Sequence, residues 1–415
     1  MKADSIFRKR TTCRYCGSNK IIKFLSLGMQ PPSNSFLRPD QLKSEKKYPL
    51  ELYICQSCFL VQLIDVVSAA SIFDDYVYLS SSSKALKQHY ADLAQILSKK
   101  YKLKKGDLVV DIGCNDGILL HGYTVPEIIR LGVEPSKVAE IARSSGLEVV
   151  KDFFTETTAK KIVKKHGNAK IITATNVFAH VDDIGSFVEG LPTLLADDGV
   201  FVIEAPYLLD MVDQTLFDII YHEHLCYLSL TPLVPFLARY NLEVFDVVRI
   251  PFGASGPAIR IFISKKGARL VKNKVETILE YEKTWGVKKI SRYTEFAKRV
   301  ALVKKEVLKK IKTLRASGAR LGGYSAPAKG NTLLNYFAIT SETLECIAET
   351  NPLKQGLLTP GSHIPIVSEE AFLETMPEYA LLLSWNYVDF FLEKSEYVRK
   401  GGKFLVPIPA PVIVP

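Results

Sequence analysis

No apolar run in this 415-residue chain reaches the roughly 18 residues needed to span a bilayer. Nor does any N-terminal stretch join a charged start to an apolar core and a small-residue cleavage site. A cytoplasmic protein with no membrane partner is the expectation. Cysteine is sparse: of seven, four form two C-x-x-C pairs and the others, Cys114, Cys226 and Cys346, are scattered, which excludes a disulfide framework. There is no tandem repeat and no low-complexity tract, although Pro407 to Pro415 is Pro-rich and reads as extended. G-x-G-x-x-G and H-E-x-x-H are both missing, which weighs against a nicotinamide dinucleotide fold and against two histidines holding a metal from one helix face.

The excess of positive charge, +10 overall, is confined to one stretch. Between Lys265 and Arg320 there are 18 Lys/Arg against 5 Asp/Glu, leaving about −3 for everything else. Within it Phe296, Val300, Val303, Val307, Ile311 and Leu314 recur at helical spacing, so the lysines are the solvated face of an amphipathic helix. With the lysines read as a solvated helix face, no nucleic-acid partner is expected.

With 47% hydrophobic residues the chain can bury more than one core. Residues 1–70 are loop-rich and hold the cysteine pairs. In 71–262, strand candidates Leu108–Ile112, Ile128–Val133, Ile171–Ala174 and Val200–Glu204 alternate with helical stretches, the pattern of a doubly wound parallel sheet. Residues 263–415 repeat the alternation after the basic helix, with Arg320–Tyr324, Leu344–Ala348, Tyr379–Leu383 and Lys403–Val406. An α/β protein of three parts is expected.

Three motifs carry chemistry. Cys13-Arg14-Tyr15-Cys16 and Cys55-Gln56-Ser57-Cys58 have the spacing that turns both thiolates of a pair toward one cation, and four thiolates close a structural zinc shell. The 38 residues between the pairs imply an inserted hairpin or loop. Asp111-Ile112-Gly113-Cys114-Asn115-Asp116-Gly117 follows a buried strand and turns into a helix. Glu134, 23 residues beyond Asp111 at the end of the next strand, suits ribose hydroxyls, with Asp152 a further acid after the strand that follows. An acidic turn disfavours phosphate and suits S-adenosylmethionine. Finally, Tyr221-His222-Glu223-His224 joins a group that titrates near neutrality, a carboxylate able to orient it, and a phenol able to stabilise a developing oxyanion.

On these residues the chain resembles the sugar C-methyltransferases of deoxysugar biosynthesis, which act on nucleotide-linked 4-keto sugars. The similarity runs through Phe73-Asp74-Asp75-Tyr76-Val77-Tyr78, the Asp111–Gly117 turn, Gly132-Val133-Glu134-Pro135, Asn176-Val177-Phe178-Ala179-His180 and Tyr221-His222-Glu223-His224. It continues into Ala326-Pro327-Ala328-Lys329-Gly330-Asn331, Asn351-Pro352-Leu353-Lys354 and Pro360-Gly361-Ser362-His363. The resemblance implies an N-terminal zinc-binding domain, a central Rossmann-like S-adenosylmethionine domain and a C-terminal Rossmann-like domain that helps hold a nucleotide-diphosphate keto sugar.

It further implies that His224 removes the proton beside the ketone, with Glu223 as its partner and Tyr221 near the enolate oxygen. Asp111, Gly113, Cys114, Gly117, Glu134, Asp152 and Asn176 would hold the donor. Tyr76, Tyr78, His180, Arg260, Lys329, Asn331, Lys354 and His363 would face the acceptor, and Cys13, Cys16, Cys55 and Cys58 the zinc. A monomer or weak homodimer is expected. Two departures from the family pattern are Ser255-Gly256-Pro257-Ala258-Ile259-Arg260, where Gly-Gly-Ser-Leu-Arg is usual, and Ser325, where glycine is usual. Two other readings stay open at this point: O-methylation of a sugar or related small molecule, and a zinc-dependent nucleic-acid-binding module.

Overall fold

The structure, a computed structural model, describes residues 6–68, 72, 79–82, 84–253 and 256–415. Its centre is a seven-stranded sheet in the order Leu242–Gly253, Gly256–Lys265, Leu195–Pro206, Ala169–Thr175, Leu108–Ile112, Ile129–Val133, Glu148–Val150. The last five are mutually parallel and the first two antiparallel. Leu108–Ile112 is apolar at four of five positions and buried throughout, as a strand covered on both faces must be. From it the chain steps outward to Ile129–Val133 and Glu148–Val150, then returns to its other side as Ala169–Thr175. That reversal opens a crevice at the carboxyl ends of the strands. Side-chain caps fix where the flanking helices start: Thr155 accepts from the Thr158 amide at 3.3 Å, and Asp183 from that of Ser186 at 3.2 Å.

The N-terminal cysteines lie beside a four-stranded antiparallel sheet ordered Cys226–Tyr227, Val61–Leu63, Tyr48–Cys55, Ile21–Gln30. Its outer strand thus comes from the segment that follows His224. A third sheet has six strands, Ile366–Val367, Ile347–Ala348, Leu321–Tyr324, Tyr379–Leu382, Lys403–Val406 and Val412–Val414, all parallel except the last. The Pro-rich end supplies that last strand. The 27-residue helix Ile290–Ala316 buries Tyr293, Phe296, Val300, Val303, Val307, Ile311 and Leu314, so the apolar spacing within the basic stretch is its packed face. Among the described residues no helix is long and apolar enough to cross a membrane.

Candidate active site

The sulfur atoms of Cys13, Cys16, Cys55 and Cys58 all lie within 4.8 Å of one another, with Cys13 and Cys58 at 3.5 Å and Cys16 and Cys55 at 3.6 Å. A tetrahedral zinc with bonds of about 2.3 Å separates its sulfurs by roughly 3.8 Å, so the four thiols fit that ion closely. The hydrogen bond from Cys58 draws Cys13 toward its thiolate. Four thiolates leave no open coordination position, and the metal is structural.

In the central crevice Gly113 is left-handed at φ 69°, and a β-carbon there would sit 2.3 Å from a methyl of Val177. Beside it Glu134 accepts hydrogen bonds from the Asn115 amide at 3.0 Å and the Ser136 amide at 2.9 Å. Gly113, Asn115, Glu134, Asp152, Phe153, Asn176 and Val177 line a cavity of about 910 Å³. Asn176 is held there in a left-handed conformation, φ 56°, its amide donating to the Glu204 carbonyl at 2.7 Å.

Three residues expected at the donor do not line this cavity. Asp111 turns under the sheet and accepts from the Thr173 hydroxyl at 2.6 Å, and burial raises its carboxyl to about 7. Cys114 is packed on Gly132, where an added β-carbon would meet its sulfur at 2.4 Å. Gly117 serves the backbone, taking φ 83° to start the helix Ile118–His121. All three shape the turn from behind. The crevice is instead faced by Gly113, Asn115 and Glu134.

Tyr221, His222, Glu223 and His224 line the same cavity and are all at least nine-tenths buried. The His224 amide bonds back to the Tyr221 carbonyl at 2.9 Å, closing a turn, and its Nδ1 lies 2.6 Å from the Ile219 carbonyl. A carbonyl only accepts, so Nδ1 carries the proton and Nε2 is left with its lone pair. The ring stacks on His180 at 5.0 Å and lies 3.9 Å from that of Tyr221. Burial pushes His224 down to about 4, so the imidazole is neutral at neutral pH. The Ile219 carbonyl orients His224 through Nδ1, and Glu223, the residue before it, accepts from the Asn34 amide nitrogen at 2.8 Å.

The C-terminal part contributes Pro327, Lys329, Lys354, Ser384 and Tyr387 to the cavity lining. Burial lowers Lys329 to about 8 against the opposing pull of Asp218, and lowers Lys354 as well. His180 also lines the cavity. Arg260, Asn331 and His363, expected at the acceptor, do not. Arg260 is paired with buried Glu204 at 2.7 Å, Asn331 donates to the Ser33 carbonyl at 2.7 Å, and His363 meets Glu45 at 2.9 Å. Each ties one part of the chain to another. Tyr76, Tyr78 and Ser255 lie outside the described residues. Arg8, Asn34, Asp182 and Tyr387 line the cavity without having been singled out; only Asn34, in the polar Gln30–Ser35 connection, carried a local signal.

Three family models match in succession: a zinc binding domain over residues 13–73, a methyltransferase domain over 83–247 and a C-methyltransferase C-terminal domain over 254–409. The chain is 32% identical over 413 residues to the C-methyltransferase NovU of Streptomyces niveus, covering 99% of this chain and 98% of that one. Among solved structures, an S-adenosylmethionine-dependent methyltransferase from Clostridium acetobutylicum matches 44% of this chain and 92% of its own, at 15% identity and a TM-score of 0.35. The magnesium protoporphyrin IX methyltransferase of Synechocystis matches 46% and 86%, at 11% identity and a TM-score of 0.33.

Proposed function

Because the chain belongs to the S-adenosylmethionine-dependent C-methyltransferases that carry an N-terminal zinc-binding domain, we propose that its acceptor is a nucleotide-linked 4-keto-deoxysugar, methylated at a carbon beside the ketone. The observation that carries this reading is His224, whose Nδ1 is committed to the Ile219 carbonyl so that a neutral Nε2 is left in a buried cavity. Such a nitrogen can take a proton from carbon only if that carbon is acidified, which an adjacent ketone does.

In this reading the C–H bond breaks toward His224 Nε2 and its electron pair moves to the ketone oxygen, forming an enolate. Tyr221, whose ring is tilted 35° to that of His224 at 3.9 Å, is the donor assigned to that oxygen. Bound S-adenosylmethionine supplies an electrophilic methyl group to the nucleophilic carbon. Gly113, Glu134, Asp152 and Asn176 hold the donor end of the cavity, and Lys329 and Lys354 put two cations where a diphosphate would lie. Asn34 keeps Glu223 in place beside the base.

Mass spectrometry of the enzyme with a panel of nucleotide-linked 4-keto sugars in deuterated water, with and without donor, tests the reading. Donor-independent deuterium at the acceptor carbon, together with one added methyl when donor is present, is the expected result. A methyl gained with no exchange would remove the enolate.

A further inference from the structure

Arg14 stands inside the first cysteine pair, so the turn that a zinc ion closes also aims its side chain. That side chain is sealed from solvent and forks in two directions. Toward the cavity, Nε donates to Asp182 Oδ1 at 3.2 Å and Nη2 lies 3.1 Å from the same oxygen. Toward the N-terminal sheet, Nη1 donates to the Leu63 carbonyl and to Gln62 Oε1, the latter at 3.3 Å.

Both ends lead to the reaction. Asp182 lines the cavity two residues beyond His180, in the segment whose Val177 packs on Gly113. Leu63 donates its own amide to the Leu225 carbonyl at 2.9 Å, and Leu225 donates to the Ala179 carbonyl at 2.8 Å. The donor wall and the strand after His224 therefore meet on one guanidinium. Arg8 and Arg10 also reach Asp182, but both retain solvent exposure, whereas the Arg14 guanidinium is fully buried and forked, so its loss matters most.

We infer that Arg14 is a positioning residue for methyl transfer, holding the donor wall through Asp182 and the strand after His224 through Leu63. The zinc-binding turn sets the geometry of the site without touching a reactant.

The test is a double-mutant cycle of Arg14→Lys and Asp182→Asn, reading S-adenosylhomocysteine affinity by calorimetry alongside zinc content and unfolding midpoint. Lysine keeps the charge but cannot fork. Each single variant is expected to keep its zinc and weaken S-adenosylhomocysteine about tenfold, and the double variant about tenfold rather than a hundredfold. Affinities within twofold of the parent in the zinc-loaded single variants, or effects that multiply in the double, would overturn the inference. Should Arg14→Lys not fold, Asp182→Asn is read alone: about tenfold weakening at full zinc content supports the role, and twofold or less removes it.

Discussion

At the end of the strand Ile129–Val133, Glu134 accepts the Asn115 amide at 3.0 Å and, two residues along its own chain, the Ser136 amide at 2.9 Å. At the end of Ile347–Ala348, Glu349 accepts the Ala326 amide at 2.8 Å and, again two residues along, the Asn351 amide at 2.9 Å. In each case the carboxylate braces the turn that follows the neighbouring strand, and that turn passes through a left-handed residue, Gly113 at φ 69° or Ser325 at φ 63°. The two sheets thus share one way of building a crevice and use it differently. Glu134 lines the cavity and Glu349 does not; on the C-terminal side the cavity is faced by Lys329 and Lys354. A carboxylate suits ribose hydroxyls and a cationic donor, whereas buried ammonium groups suit an anionic acceptor.

The largest effect should come from the residue between the two crevices. His224→Ala is expected to lower kcat by about 10²–10⁴-fold while leaving donor affinity intact. In the proposed role His224 acts as a neutral base, and burial holds it near 4, so activity should be lost only as the pH falls toward about 4. An acid limb of kcat/KM centred at the ordinary histidine value would break the assignment. Next in size is an exchange of effects between the crevices. Glu134→Ala should weaken the donor by about 10–100-fold and spare the acceptor, since a hydrogen bond to a charged group is worth about 1.5–3 kcal/mol. Lys329→Met should raise acceptor KM about tenfold and spare the donor. Equal loss of donor affinity in both variants, measured by calorimetry, would erase the division.

The smallest effect belongs to Ser325→Gly. A non-glycine residue at φ 63° carries about 1 kcal/mol of strain. Its hydroxyl compensates by accepting the Ser384 amide at 3.0 Å, worth about 1 kcal/mol. Denaturant unfolding should therefore show a change below about 1 kcal/mol, and a larger one would mean that the two crevices are not built alike.

Much of this was legible in order along the chain. Leu108–Ile112 appears with the expected bounds because an apolar run of strand length, ended by a glycine turn, has few other places to go. Glu134 is found at the crevice because its place at a strand end is a local property. The four cysteines converge for the same reason, each pair being set by its own turn.

What was not legible depended on direction or on distance in sequence. Asp111 and Cys114 belong to the right turn, but spacing does not say which side of it a side chain takes, and both went behind. Arg260, Asn331 and His363 were drawn away by Glu204, Ser33 and Glu45, partners 56, 298 and 318 residues distant. The left-handed backbone at Ser325, φ 63°, which glycine takes without strain, is likewise a fact that only the structure supplies.

The strand Cys226–Tyr227, which completes the N-terminal sheet against Val61–Leu63, also constrains how the protein is made. Val61–Leu63 leaves the ribosome roughly 160 residues before its partner does, and at typical rates of synthesis that interval is on the order of 10 s. Over that interval it is an edge with an open row of amide and carbonyl groups, the kind of surface on which nascent chains pair with the wrong neighbour. The site around His224 can thus be completed only late in synthesis, once a strand made early has waited unpaired for the one that closes it.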